Sequence, residues 1–394
     1  MKKSLIPITT AVVVASSAVI SAPAYAGGDG HGGHHGSSTI TAGEPTVVTE
    51  GLLSPLSLEV DQDRVALLSQ NFAGLLTQVD GEGTVSTVTS APPGDEIGAV
   101  SSWRGTVYYS QSAPDLSSSV LNSITPDGEI VEIADTLAYE EAENPDQVNT
   151  YGFVDLAEEC AAQIPPDPMG PQSSAYTGAV DSHPYATRAR SNSLYLADAG
   201  ANAILRVEYT GEISTVAVLP PEPAATVTAE LAAAVGLPEC TVGAEYIFEP
   251  VPTDVEVGKD GYLYVTTLPG GPEGPELGAR GSVYRVDRST GETELVATGF
   301  GGATGLALAD DGTIFVAELF GGPEGTGQVS ILTPGSDTPE PLIALTAPAA
   351  LELRGHNLWV TTDAFVPDET GAPQPIGKLV VVPLDSGDAH GDGD

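Results

Sequence analysis

Short apolar runs recur along the chain in one internal order: an aromatic or aliphatic residue, an aliphatic one, a small one and a polar one. Six copies are found: LLSQ (67–70), YYSQ (108–111), YLAD (195–198), YVTT (264–267), FVAE (315–318) and WVTT (359–362). Most follow a run that opens with proline or a small residue, such as PYAT (184–187), and precede two more β-rich runs. Asp-Gly pairs supply the tight reversals of hairpins.

Four short antiparallel strands in each repeat are typical of a propeller blade. The pattern predicts an all-β fold, a six-bladed β-propeller of four-stranded antiparallel blades over residues 45–384. Residues 45–50, PTVVTE, are expected to add the outer strand of the last blade, because an open ring would expose a strand edge. Residues 137–182 and 220–251 interrupt the repeat and are interpreted as insertions. The long spacing there could hide a seventh blade, but residues 137–182 lack alternating β-branched pairs, and a short helix near VDLAEECAA is expected.

The ends of the chain differ from the repeats in composition. Residues 1–26 combine two lysines, an apolar stretch and Ala24-Tyr25-Ala26, which predicts a cleaved signal peptide and a secreted protein. Residues 27–44 and 385–394 are rich in Gly, His, Ser and Asp and are expected to be disordered. The HGGHHG cluster, with His31, His34 and His35, could bind Zn²⁺, Cu²⁺ or Ni²⁺ loosely.

Charge narrows the range of partners. The chain carries 13 basic and 54 acidic residues, a formal net charge of −41. Nucleic acid is excluded as a partner, because phosphate binding requires a basic surface. No later apolar stretch is long enough to span a membrane. A monomer that binds a small molecule or an extracellular protein is expected.

One face of the predicted disc collects the long connections and the ends of the second strands. Such loops on a rigid scaffold usually form binding sites, although they could also simply cap the channel. The predicted ligand-binding residues are polar and lie at this mouth: Gln70, Gln111, Asp181, His183, Asp198, Asp254, Thr267, Glu318 and Thr362. Cys160 and Cys240 lie in the two largest insertions, and an exported pair is expected to form a disulfide.

The segment ADAGAN, 197–202, allows two interpretations. Asp198 and Asn202 can shape a turn, where both residue types are favoured. Alternatively Asp198, Asp254 and Glu318 could hold Ca²⁺ or another divalent cation at the mouth, since hard cations prefer oxygen ligands. No cofactor is certain from the sequence. His183 is the histidine best placed for acid–base chemistry.

The order and spacing of DSHPY (181–185), LYLADAGANAILRVEYTGEISTV (194–216) and VATGFGGATGLALADDGTIFVAE (296–318) resemble the ScyD/ScyE family of secreted bacterial propeller proteins. The resemblance spans roughly residues 46–384 and extends, less specifically, to NHL-repeat proteins. It implies export and no transferable catalytic residues. Gluconolactonase-like propellers are also similar, but where they carry metal ligands this chain has residues 54–56, 304–305 and 253–254, with a single carboxylate, Asp254.

Three hypotheses follow. The first is a ligand-binding propeller without catalysis. The second is a metal-dependent lactonase or esterase that uses Asp181, Asp198, Asp254 and Glu318 with a divalent ion to activate water. The third is a structural or matrix-associated protein whose acidic surface recruits cations.

Overall fold

Strands dominate the computed structural model, which describes residues 40–165, 172–272 and 276–386. The described strands form seven antiparallel sheets. Six of them are the blades of a propeller, which confirms the predicted fold. The predicted signal peptide, the histidine cluster at 31–35 and residues 387–394 lie outside the described residues.

The chain begins with β1 (Ile40–Ala42) and β2 (Thr46–Leu52). Blade 1 comprises β3 (Leu58–Val60), β4 (Ala66–Gln70), β5 (Leu75–Val79) and β6 (Val85–Ser90). Blade 2 comprises β7 (Glu96–Trp103), β8 (Thr106–Ser112), β9 (Ser119–Ile124) and β10 (Ile130–Asp135). The first insertion contains α1 (Thr136–Glu143), β11 (Thr150–Val154), α2 (Glu158–Ala161) and β12 (Tyr176–Thr177).

Blade 3 comprises β13 (Pro184–Ala189), β14 (Ser193–Asp198), β15 (Ala203–Glu208) and β16 (Ile213–Val218). The second insertion contains β17 (Ala225–Thr226), α3 (Ala229–Ala234) and β18 (Glu245–Ile247). Blade 4 comprises β19 (Pro252–Val257), β20 (Leu263–Thr267), β21 (Gly281–Val286) and β22 (Thr293–Phe300). Blade 5 comprises β23 (Ala303–Leu308), β24 (Ile314–Glu318), β25 (Gln328–Leu332) and β26 (Glu340–Ala344). Blade 6 begins with β27 (Leu351–Arg354), β28 (Asn357–Thr362) and β29 (Gly377–Ser386).

The N-terminus closes the ring. β2 pairs antiparallel with β29, with Thr46 opposite Val381, so the last blade takes its outer strand from the start of the chain as predicted. β1 pairs with the far end of the same strand, with Ala42 opposite Leu384. Order therefore reaches residues 40–44 and 385–386, which had been assigned to disordered ends. The reason is that β29 extends beyond β2, and its free backbone groups need partners.

Apolar packing between blades accounts for the repeated motif. Each copy lies in the second strand of a blade. Neighbouring blades cover both faces of this strand, and its residues are therefore mostly apolar without alternation. Tyr195 of blade 3 packs with Val265 of blade 4, and Trp359 of blade 6 packs with Leu68 of blade 1. Because last and first blades share a core in the same way as the others, the stack closes on itself.

The small residue of the motif has a structural task. In three blades its hydroxyl accepts a hydrogen bond from a first-strand N–H, where the ladder is irregular or has not begun. The bonds are Ser57 N to Ser69 Oγ (3.0 Å), Ala99 N to Ser110 Oγ (2.8 Å) and Ala350 N to Thr361 Oγ1 (2.9 Å). These hydroxyls satisfy backbone donors that would otherwise be buried without a partner.

The two insertions fold together. Their strands form the seventh sheet, in the order β12-β11-β18-β17. Residues 137–182 therefore contain paired strands although they lack the alternating pattern of the blades. β11 and β12 are short, and β11 finds its other neighbour in the second insertion, which local pattern does not reveal. A disulfide joins Cys160 to Cys240, and Phe153 packs edge-on against Tyr246 at 4.9 Å. We call this unit, residues 136–183 and 219–251, the crown.

Candidate functional site

The crown and the long second-to-third-strand loops lie at one end of the channel. Innermost strands begin at this end, and antiparallel second strands finish there. Both insertions precede an innermost strand, and the loops at 268–280, 319–327 and 363–376 follow second strands. We call this end the mouth and the opposite end the base.

Most of the predicted polar residues at the mouth hold the loops in place. Gln70 Oε1 accepts a hydrogen bond from Leu53 N at 2.7 Å. Glu318 is buried, with one carboxylate oxygen bound to Gly301 N at 2.6 Å and the other to Gln328 Nε2 at 2.8 Å. Gln111 donates to Asp95 (3.1 Å) and Thr362 donates to Asp363 (3.1 Å). The buried hydroxyl of Thr267 has no hydrogen-bond partner among the described residues.

The segment at 198–202 forms a turn that connects three parts of the molecule. Asp198 is fully buried and accepts from His183 N (2.7 Å) and Ser182 Oγ (2.8 Å). Asn202, at a φ of 49°, donates to Asp146 in the first insertion (2.8 Å) and accepts from Val251 N at the end of the second (3.1 Å). In the structure these side chains position the crown on blade 3.

The three carboxylates predicted to bind a metal lie on three different blades. Asp254, on the innermost strand of blade 4, accepts from Val255 N (2.8 Å) and Leu306 N (2.7 Å). Burial, followed by the nearby Glu256, raises the pKa of Asp254 to about 8. Among the described residues, no three His, Cys, Asp or Glu side chains are grouped so that they could hold a metal ion. Metal binding by Asp198, Asp254 and Glu318 stays a prediction.

A cluster of half-buried aromatic side chains lies at the mouth. Phe72, Phe320 and Phe365 come from loops that follow second strands in blades 1, 5 and 6, and Tyr185 comes from the start of β13. They pack around the buried Leu56, and the rings of Phe72 and Phe365 meet edge-on at 6.2 Å. We call these five residues the mouth cluster. Such a surface suits an apolar or aromatic ligand, because partly exposed rings gain by further burial.

His183, two residues before Tyr185 of the mouth cluster, forms an acid–base pair with Glu96 of β7. His183 Nε2 is 3.6 Å from Glu96 Oε2, and the two side chains are 33% and 21% exposed. Burial lowers the pKa of His183, but the carboxylates of Glu96, Asp181 and Asp198 outweigh it and raise the pKa above its usual value. Oδ1 of Asp181 is buried and has no hydrogen-bond partner in the part of the chain that the structure describes, and burial raises the pKa of this carboxyl group. His183 is therefore able to exchange a proton near neutral pH.

Ion pairs close the channel between its two ends. Arg188 of β13 contacts Glu256 (3.0 Å), Glu59 (3.2 Å) and Glu352 (3.1 Å), which come from three other innermost strands. Arg354 also pairs with Glu352, at 2.6 Å. The cavity at this level measures about 20 Å³, room for about one water molecule. A ligand can therefore occupy the mouth or the base but cannot pass through this arrangement.

Several of these residues were not predicted from the sequence. Glu96, Arg188 and the aromatic members of the mouth cluster are absent from the predicted set. A signal for the aromatics was present, since Phe72 and Phe320 follow the last residue of a repeat by two positions and Phe365 by three. The ion pairs had no such signal. Their charged residues lie singly among apolar residues on separate strands, so no one segment shows that they meet.

Comparisons of sequence find no match, whereas comparison of structures finds proteins of similar fold. No protein-family profile matches the chain, and no curated protein does. A structural genomics protein of unknown function from Bacteroides thetaiotaomicron has a TM-score of 0.50 at 11% identity, covering 89% of this chain and 77% of that one. Virginiamycin B lyase from Staphylococcus aureus gives 0.48 at 15%, covering 88% and 100%. The PQQ-bound aldose sugar dehydrogenase from Streptomyces coelicolor gives 0.49 at 14%, covering 89% and 99%.

These identities are too low to indicate anything but the fold. The structural neighbours are β-propeller proteins, and the six stacked sheets agree. The chain is therefore a β-propeller protein. In the described residues no helix has the length and apolar character needed to cross a membrane.

Proposed function

We propose that this chain is a secreted, ScyD/ScyE-like propeller that binds a small molecule with an apolar ring at its mouth, without catalysis. The observation that carries the proposal is the mouth cluster. Its aromatic members come from four blades and stay partly exposed, although neighbouring residues such as Leu319 are buried. The His183–Glu96 pair adds a polar contact that can orient such a ligand.

A binding titration with a neutral fluorescent naphthylamine probe tests the proposal. Saturable binding is expected, weakened roughly tenfold by Phe72→Ala and by Phe365→Ala, since each removes part of the apolar contact area. Tyr262→Ala is the matched control, because Tyr262 lies in the turn between β19 and β20, at the base. Equal weakening by Tyr262→Ala, or no saturable binding, would contradict the proposal.

A metal-dependent lactonase or esterase is the second candidate. It is favoured by one observation: a histidine able to exchange a proton lies at the mouth beside Glu96 and two further carboxylates, Asp181 and Asp198. The described carboxylates do not form a three-ligand metal group, so we derive no metal-dependent step. Metal analysis after dialysis, combined with lactone hydrolysis by wild type and His183→Gln, separates this candidate from binding alone. One retained divalent ion per chain and hydrolysis that needs His183 would favour the enzyme.

A further inference from the structure

The base of the channel contains a cavity that is unusual for so acidic a chain. It measures about 250 Å³ and is bordered by the ends of the innermost strands of blades 3 to 6. Four of the 13 basic residues of the chain line it: Arg188, Arg190, Lys259 and Arg354. The carboxylates that line it are Glu256, Glu352 and Asp310. Elsewhere acidic residues far outnumber basic ones, so this concentration of cations calls for a physical reason.

The ion pairs across the channel neutralise two of the four cations. Arg188 and Arg354 share Glu59 and Glu352, and Arg188 also pairs with Glu256. Burial, followed by the nearby Glu352, raises the pKa of Glu59 to about 8. Arg188 and Arg354 thus both have carboxyl partners inside the channel.

Arg190 is less fully compensated, because Glu256 and Glu59 favour its charge from nearby without forming an ion pair with it in the described residues. It is partly buried, and its side chain donates to the carbonyl oxygen of Val257 at 3.3 Å. Within the described part of the chain, no carboxylate forms an ion pair with Arg190. Burial, and then the neighbouring Arg188, lower its pKa, which shows that its charge is held at a cost. A guanidinium has five N–H donors, so most of those on Arg190 remain available to a ligand.

Lys259 is the fourth cation and lies at the rim. Its ammonium group pairs with Asp310 at 2.6 Å, but both side chains are largely exposed, at 68% and 86%. An exposed ion pair of this kind contributes little and exchanges readily with other partners. Lys259 can therefore turn toward an anion in the cavity.

We propose that this cavity, the base site, binds the oxyanion group of a small molecule, a carboxylate or a phosphate, through Arg190, with Lys259 at the rim. Planar guanidinium groups suit both groups because they can form two parallel hydrogen bonds. The ligand gives Arg190 the direct anionic partner that it lacks among the described residues. The base site is separate from the mouth cluster, since the ion pairs of Arg188 close the channel between them.

Calorimetric titration at low ionic strength tests the base site, with inorganic phosphate and citrate in separate arms. Saturable binding of at least one anion is expected, and the tighter arm shows whether phosphate or carboxylate is preferred. Arg190→Gln should weaken binding roughly tenfold or more, because a hydrogen bond to a charged group is lost. Lys259→Gln should weaken it about two- to threefold, and it alters an exposed side chain that does not endanger folding.

Controls decide whether the loss is specific. Arg206 pairs with Glu208 on the third strand of blade 3 and does not line the cavity, so Arg206→Gln should bind as wild type does. Arg190→Lys keeps the charge but loses the planar pair of donors, so it should weaken binding less than Arg190→Gln does. The inference fails if neither anion saturates the wild type, or if Arg206→Gln weakens binding as much as Arg190→Gln. Phe72→Ala should leave anion binding unchanged, whatever happens at the mouth.

Discussion

The ring of blades and the crown achieve stability in different ways. Each blade buries both faces of its second strand against its neighbours, and the N-terminus closes the stack without a covalent link. The crown has two short helices in its first insertion and one in its second, strands of two to five residues, and a disulfide between its halves. Small units bury too little apolar surface to be stable alone. The ring is stabilised by repeated packing between blades, whereas the crown is stabilised by a disulfide and by its contacts with blade 3.

The largest expected effect is at the centre of the ring. Arg188→Ala removes the guanidinium group that pairs with the buried Glu256 and that shares Glu59 and Glu352 with Arg354. The variant should lower the free energy of unfolding by about 3 to 5 kcal/mol. Urea denaturation followed by circular dichroism measures this loss. Arg206→Ala removes an exposed ion pair and should cost less than about 1 kcal/mol. Equal effects of the two variants would mean that the channel ion pairs do not stabilise the ring.

The crown should respond to loss of its cross-link while the ring does not. The double variant Cys160→Ser/Cys240→Ser frees a loop with a sequence separation of 80, and the crown should lose about 2 to 4 kcal/mol of local stability. Hydrogen exchange measures both regions in one sample. Amides of β11 and β18 should exchange faster, whereas those of β14 and β20 should keep their protection. Faster exchange in all four strands would show that crown and ring unfold as one unit.

A third effect is expected on how stability depends on pH, through a buried glutamate where the crown meets the ring. Glu140 of α1 is 1% exposed, and within residues 40–165, 172–272 and 276–386 neither of its carboxyl oxygens has a hydrogen-bond partner. Burial, then the carboxylates of Asp198, Asp146 and Asp181, raise its pKa from 4.5 to about 8. The folded protein therefore holds a proton that the unfolded chain releases. This stabilisation is complete below about pH 4.5 and is lost as the pH rises through about 8.

Glu140→Gln tests that contribution, because glutamine stays neutral. Stability measured at pH 5 and pH 8 should differ by about 3 to 4 kcal/mol less in the variant than in the wild type. Glu141→Gln, an exposed change in the same helix, should leave the pH dependence as it is. An unchanged pH dependence in Glu140→Gln would show that Glu140 ionises without cost in the folded protein.

Much of the ring could be predicted because each blade repeats one local rule. The six copies of the motif coincide with β4, β8, β14, β20, β24 and β28, and the strand expected to close the ring is β2. The sheet of the crown could not be predicted. β11 and β18 are separated by about ninety residues, and nothing in either one specifies the other as its partner.

The residues at the mouth could likewise be predicted only in part. From sequence, the polar residues at the ends of the second strands could be placed at the mouth, because strand direction alternates within a blade. Their accessibility depends on the tertiary structure. The carboxylates of Glu318 and Asp198 are buried in local hydrogen bonds, whereas His183 remains partly exposed. The partly exposed Phe72 and Phe365 lie at the same end of the channel.

The sequence by itself determined the repeat, the stacking of blades and the acidity of the chain, because these follow from local order and composition. The tertiary structure decided the pairing of the insertions, the mouth cluster, and the meeting of Arg188, Arg190 and Arg354 at the channel. Each of those depends on which residues a closed ring brings together from distant segments. That information lies in the geometry of closure and not in any single stretch of the chain.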